Sequence, residues 1–369
     1  MRRRVRWGAA ILVLALGFTA TTAGASNTSG DLSAQALARQ AAGQRVIYSY
    51  PGLTPPASLL ARIRAGEAAG VIFFGENVSS PQQIAGVVQQ LRAAAAQSPM
   101  QHPLLLMTDQ EGGQVRRLPG EPVLSHKDVG QSANPGAAAT TTGAGAGNNL
   151  AGVGMNVNLA PVLDVYHAPG DLMDQYERSY SMDHNVVGDL GANFVTAHQN
   201  TGVAATVKHF PGLGTATATN NTDLRPVTLN VSLDALRTVH EAPYQDAIAA
   251  GAKLVMLSWA VYPALDGARP AGLSSVVVQQ ELRSRNGFTG VTITDAIEAG
   301  ALRDFGSTGN KAVLAAGAGM DLILASARDV NQGEEAANAL ATALADGTLD
   351  SGAFGEALAR VNALRAGLD

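Results

Sequence analysis

The chain predicts an α/β fold, a single (β/α)8 TIM-type barrel, and three observations carry that expectation. Eight short apolar runs, several rich in β-branched residues, are spaced along it, and buried parallel strands read as near-continuous apolar stretches. Helix-length segments separate these runs, and no break in composition divides them into two domains. The rival fold, an open doubly wound sheet, usually carries a glycine-rich phosphate loop after its first strand. Tyr50-Pro51-Gly52-Leu53 is not such a loop.

Taken in order, the first strand is expected at 46–48 and leads to a helix over 57–69. The second, at 71–74, leads to a helix over 81–96. Strands at 104–107 and 157–160 follow, separated by a long insertion whose 137–147 stretch is rich in small residues. A helix over 187–200 precedes the fifth strand at 205–207, and one over 232–250 precedes the sixth at 254–257. The seventh strand, 291–293, follows a helix over 274–285, and the eighth, 322–324, precedes one over 330–345. The chain exceeds the roughly 250 residues typical of this barrel, so insertions and terminal helices are expected.

The first residues do not belong to the barrel. Met1-Arg2-Arg3-Arg4-Val5-Arg6 is a basic segment, Gly8 to Phe18 is apolar, and Ala23-Gly24-Ala25 offers a small-residue cleavage site. Residues 1–25 therefore read as a secretory signal peptide, through the general or the twin-arginine route. The apolar run is shorter than the roughly 20 residues of a membrane span. Residues 26–33 read as a polar linker and 34–369 as the barrel domain. Contact with a membrane is expected only during export, and the exported chain is expected to act as a monomer.

Processing would remove four arginines and no acids from 25 basic and 30 acidic residues, leaving 21 against 30, a net charge of −9. Such a chain is a poor ligand for nucleic acid or anionic membrane. With no cysteine, disulfides, thiolate catalysis, cysteine-based metal sites and lipid attachment at an N-terminal cysteine are all excluded.

In a barrel of this kind, side chains just past the strands converge on the carboxyl-terminal face, where active sites lie. Those positions hold Asp109, Asp164, Lys208 with His209, Trp259 and Asp295. Each alone has an ordinary explanation: an aspartate caps the next helix, a histidine makes a structural hydrogen bond. Six polar or aromatic residues on one face point instead to a site. Asp295, which ends the run Val291-Thr292-Ile293-Thr294, is the most informative, because an unpaired buried charge is costly. Basic neighbours are expected to keep it ionised.

Four stretches resemble glycoside hydrolase family 3. Thr108-Asp109-Gln110-Glu111-Gly112-Gly113-Gln114-Val115-Arg116-Arg117-Leu118 is similar to its DQEGG segment. Asn158-Leu159-Ala160-Pro161-Val162-Leu163-Asp164-Val165 is similar to its fourth strand, and Lys208-His209-Phe210-Pro211-Gly212-Leu213-Gly214 to its KHFPG-x-G signature. The stretch from Asn286 to Asp295 is similar to its nucleophile strand. The single-domain bacterial β-N-acetylglucosaminidases are the branch it resembles most. The resemblance implies that Asp295 is the nucleophile of a retaining mechanism. It implies that Asp109, Arg117, Arg178, Lys208 and His209 bind or brace the sugar of the −1 subsite. No cofactor or metal is implied, and the implied partner is a carbohydrate: a GlcNAc-containing glycan or muropeptide. Asp164 reads as a structural support.

The pattern breaks at the general acid/base. In the resembling branch this is a histidine paired with an aspartate two residues earlier, on the loop after KHFPG-x-G. Here those positions hold Asn221 and Thr219, and no histidine lies between His209 and His240. Asp223 is the only carboxylate in the loop; it either serves as a surrogate acid/base or pins the loop through backbone hydrogen bonds. His209 is a fallback donor. Trp259 stands where related enzymes have a histidine, and either stacks on a sugar face or packs the barrel top. Glu298 either lines the same face or places charge at a helix N-terminus.

These observations predict a secreted retaining exo-β-N-acetylglucosaminidase. The alternatives are a catalytically weakened sugar-binding protein on the same scaffold, or a β-glucosidase or glycoside phosphorylase specificity. A zinc hydrolase fits less well, because His209 is the only strand-end histidine and catalytic zinc usually takes three protein ligands.

Overall fold

The computed structural model of the chain describes residues 28–368, so the expected signal peptide lies outside the described residues. Eight parallel strands form one sheet in the order expected of a barrel. They are β1 (Val46–Tyr48), β2 (Gly70–Ile72), β3 (Leu105–Thr108), β4 (Val157–Asn158), β5 (Ala204–Phe210), β6 (Leu254–Leu257), β7 (Val291–Thr294) and β8 (Ile323–Leu324). β1 pairs with β8 through Val46 and Ile323, and a parallel bridge between Ile293 and Leu322 joins β7 to the β8 segment. The single (β/α)8 barrel predicted from the alternation of runs is the observed fold.

Alternation along each strand sends one set of side chains inward and the other outward. Ile47, Met107, Leu159, Met256, Ile293 and Leu324 fill the barrel. Val46, Val71, Leu106, Val207 and Val255 pack outward under the helices. The helix Ser351–Ala366 starts at Asp350, whose carboxylate accepts the Ala353 amide at 2.8 Å. Its Val361 and Leu364 join the barrel interior at the amino-terminal end of the strands, so this end is plugged and the opposite end is left open.

Three details differ from the sequence reading. The helix Thr28–Gly43 begins within the expected linker 26–33, because the alanine-rich stretch from Ala34 propagates helix back through the polar residues. The insertion between β3 and β4 holds an 18-residue helix, Pro135–Gly152, opened by Asn134 as its cap. Its small residues weaken the periodic signal but permit close packing: a Cβ on Gly143 would lie 2.5 Å from the Phe194 carbonyl oxygen. The helices expected over 232–250 and 274–285 each contain a π-helical stretch, Leu236–His240 and Val276–Arg285. Pro243 removes a donor from the first of these runs, and the Glu241 amide bonds back five residues to Leu236 at 2.8 Å. Among the described residues no helix is long and apolar enough to cross a membrane.

Candidate active site

At the carboxyl-terminal end of the strands a cavity of about 380 Å³ is lined by Asp109, Arg117, Arg178, Lys208, His209, Asp223 and Asp295. Seven of the eight site residues expected from the sequence thus meet in one place. Trp259 does not.

One wall is a buried charge network. Lys208, on β5, is 2% exposed and places Nζ 2.7 Å from Asp109 Oδ1 and 2.7 Å from Glu111 Oε1. Arg178, on the loop after β4, grips Glu111 with both arms of its guanidinium, at 2.9 and 2.8 Å. Burial alone would raise the Glu111 carboxyl, but the charges of Arg178 and Lys208 overcome it and hold the group far below the usual carboxylate range. Burial likewise opposes the Lys208 ammonium, and Asp109 and Glu111 outweigh it, so its pKa is raised. A buried lysine between two carboxylates stays charged and holds their oxygens in fixed directions. Arg117 is set by the preceding hairpin, where Gln110 Oε1 accepts the Arg117 and Leu118 amides at 3.1 and 3.0 Å.

Glu111 is the residue that sequence reasoning missed. It stands in the hairpin strand Gln110–Gly112, two residues after Asp109. Side chains two apart share a face of an extended chain, and that spacing was the available signal.

His209 is held from behind by Asp164. Its Nδ1 donates to Asp164 Oδ2 at 2.7 Å, which leaves Nε2 for the cavity. Asp164 is fully buried and also accepts the amides of Leu213 at 2.6 Å and His209 at 3.4 Å. It is a positioning residue. Gly214 lies so close to the Val165 backbone that a Cβ there would collide with it, which explains a glycine at the end of the signature.

Asp295 follows β7 directly, half-buried, and accepts the Ala296 amide at 2.7 Å. Burial raises its pKa. His209 and Lys208 pull it down and Asp223 pushes it up, and the net shift is upward from the ordinary carboxylate value. The basic neighbours expected from the sequence are present, but they do not dominate.

The loop after β5 brings Asp223 to the same cavity. The loop is fastened by its backbone: the Thr222 and Asp223 carbonyls accept the Ala301 and Gly300 amides at 2.9 and 2.8 Å. Asn221 turns its side-chain oxygen back onto the Asp223 amide at 2.8 Å. Among the described residues no hydrogen bond engages the Asp223 carboxylate, so pinning the loop is not the job of its side chain. Neither Thr219 nor Asn221 lines the cavity.

Trp259 is fully buried among the core residues outside the barrel, which corrects the expectation that it binds sugar. Its ring lies against Gly272, where a Cβ would come within 2.6 Å. Its indole N–H donates to the Ala296 carbonyl at 2.8 Å, bracing the residue next to Asp295. Glu298 does line the cavity. Its carboxylate accepts from Ser326 Oγ at 2.7 Å and Gln332 Nε2 at 3.1 Å, and so ties the loop after β7 to the loop after β8 and to the helix Val330–Ala345 that follows it. Arg328, also on the rim, stacks its guanidinium 4.3 Å from the Phe74 ring centroid.

Comparison with known proteins adds the family. Residues 51–364 match the model of the glycosyl hydrolase family 3 N terminal domain. The chain is 46% identical over 329 residues to an uncharacterized secreted glycosyl hydrolase of Arthroderma benhamiae, covering 89% of this chain and 93% of the relative. It is 31% identical to Beta-hexosaminidase A of Pseudoalteromonas piscicida, covering 85% of this chain and 55% of that protein. The solved family 3 β-N-acetylglucosaminidase of Paenibacillus sp. str. FPU-7 superposes with a TM-score of 0.84 at 33% identity, over 89% of this chain and 62% of that one. The β-N-acetylhexosaminidase of Beutenbergia cavernae superposes with a TM-score of 0.79 at 33% identity, over 89% and 98%. The barrel, the signature strands and the extent of these matches place the chain in glycoside hydrolase family 3.

Proposed function

We propose that the protein is a retaining exo-β-N-acetylglucosaminidase. The observation that carries the reading is that Asp295 and Asp223, whose carboxylate has no hydrogen-bond partner among the described residues, open onto one cavity of about 380 Å³. That volume lies in the range of small-ligand pockets and suits one terminal sugar. Asp295 attacks the anomeric carbon while Asp223, protonated, gives its proton to the departing glycosidic oxygen. Asp223 then takes a proton from the water that releases the sugar from Asp295. Asp109, Lys208 and His209 hold the ring hydroxyls, and Arg117 and Arg178 brace that wall. The acetamido specificity rests on likeness to the Paenibacillus and Beutenbergia enzymes, and GlcNAc-containing cell-wall or other glycans are the substrates that follow. Secretion rests on the basic and apolar segments of residues 1–25 and on the secreted relative from Arthroderma.

Hydrolysis of aryl β-GlcNAc and aryl β-glucoside substrates by wild type, Asp295→Ala and Asp223→Asn tests this. Preferred cleavage of the GlcNAc substrate, abolished in Asp295→Ala, supports the reading. Retained GlcNAc binding without turnover, with or without phosphate, would overturn it. That result would favour the second reading, a sugar-binding protein, for which the loss of the histidine–aspartate pair at Asn221 and Thr219 speaks.

A further inference from the structure

A second cavity, of about 710 Å³, lies on the same face of the barrel and contains none of the residues assigned above. Its walls come from the loop after β4 (Tyr166, His167), the loop after β5 (Thr215, Asn220), the segment leading into the π-helical stretch (Asn230, Val231) and that stretch itself (Val239). The loop that presents Thr215 and Asn220 here presents Asp223 to the first cavity, so one loop serves both.

The chemistry of this lining is uniform in one respect: it holds no aspartate, glutamate, lysine or arginine. A cavity whose only titratable side chains besides Tyr166 are the imidazoles of His167 and His240 gives little compensation for desolvating an ion, so it selects against charged ligands. Apolar surface from Tyr166, Val231 and Val239 is joined by neutral polar groups: the Asn230 amide, and the Asn220 amide, whose oxygen already accepts from Thr217 but whose nitrogen is free. That mixture matches a pyranose, which offers apolar ring faces and neutral hydroxyls at its edge. Polar atoms are also left over. Just behind the lining, Thr215 Oγ1 and His240 Nδ1 are buried without hydrogen-bond partners among the described residues, while the Asn230 side chain is exposed and free to meet a ligand. Two unsatisfied polar atoms behind one cavity wall ask for ordered water, or for a ligand whose entry turns those side chains toward it.

We infer that this cavity is a second carbohydrate site, which binds an uncharged saccharide and shares its wall with the Asp223 loop. The uncharged class rests on the lining alone; the choice of an N-acetylated sugar rests on the proposed function. The test is calorimetric titration of N,N′-diacetylchitobiose into the Asp295→Asn protein, which would bind without turnover. Two binding events are expected. Ala235→Trp, which places an indole at the cavity wall, removes one of them and leaves aryl β-GlcNAc hydrolysis intact in the otherwise native enzyme. Asn230→Ala with His240→Phe weakens the same event about tenfold through lost hydrogen bonds, and decides the matter should Ala235→Trp fail to fold. Glucuronic acid gives no event that these substitutions alter.

A single event that Ala235→Trp abolishes keeps the inference and counts against the proposed function. A single event untouched by the substitutions, or two events both untouched, overturns it.

Discussion

Two borders of one cavity are built on different physical terms. On one, Glu111 is nearly sealed and satisfied by Arg178 and Lys208, which in turn fixes Asp109. On the other, the Asp223 loop is fastened through its backbone and the Asn221 side chain, and among the described residues the exposed Asp223 carboxylate has no hydrogen-bond partner. Sugar binding requires hydroxyl partners that do not move, and mutually satisfied buried charges supply that rigidity at a high cost if any member is lost. Proton transfer requires a group that can hold either protonation state, and a carboxylate in contact with water can do so without disturbing the fold. The difference predicts that damage to the first border is structural as well as catalytic, and damage to the second catalytic alone.

The largest effect should come from Glu111→Gln. It leaves Lys208 and Arg178 without their shared anion, and breaking a buried pair costs about 3–5 kcal/mol. Denaturant unfolding should show that loss together with collapse of activity; unchanged stability would dissolve the contrast. Asp223→Asn should leave unfolding unaltered and lower kcat by about 10²–10⁴-fold on substrates with poor leaving groups. Activated aryl glycosides should suffer less in the first step, and azide should restore turnover by replacing the activated water. Equal loss on good and poor leaving groups would remove Asp223 from the acid role.

Trp259→Phe keeps most of the packing and loses the hydrogen bond to Ala296, a cost of about 1 kcal/mol. It should lower kcat modestly with KM unchanged; a large rise in KM would return the indole to the sugar.

Asp295 yields a prediction with a definite sign. Its carboxyl is raised in the fold, so the folded protein binds the proton more tightly than the unfolded chain. Its ionisation therefore destabilises the fold progressively as pH rises from the ordinary carboxylate value through the raised one. Asp295→Asn should accordingly raise Tm at neutral pH and have little effect at a pH below the ordinary value. A variant less stable than wild type at neutral pH would contradict that sign.

The barrel was legible because eight apolar runs and their flanking segments obey one rule of burial, and because strand ends in this fold point to one face. Asp109, Lys208, His209 and Asp295 followed from that rule and meet as expected. What the sequence did not disclose depends on contacts between distant segments. Glu111 has meaning only once Arg178, 67 residues away, reaches it. Trp259 obeyed the strand-end rule but turns into the outer core, because Gly272 leaves room for its ring. The helix Pro135–Gly152 stayed hidden because alanine, glycine and threonine give it little periodicity, while those same residues allow its neighbour to approach. Asn221 marked a missing histidine; that its side chain steadies the Asp223 amide could come only from the folded loop.

The central claim is that Asp295 forms a covalent bond to the sugar. Incubation with a fluorinated N-acetylglucosaminyl fluoride, followed by proteolysis and mass spectrometry, tests it most directly. The account predicts a single adduct on the peptide that spans Val291 to Asp295, formed in Asp223→Asn as well and absent in Asp295→Ala. An adduct on another carboxylate, or turnover of the reagent with inversion at the anomeric carbon, would contradict it.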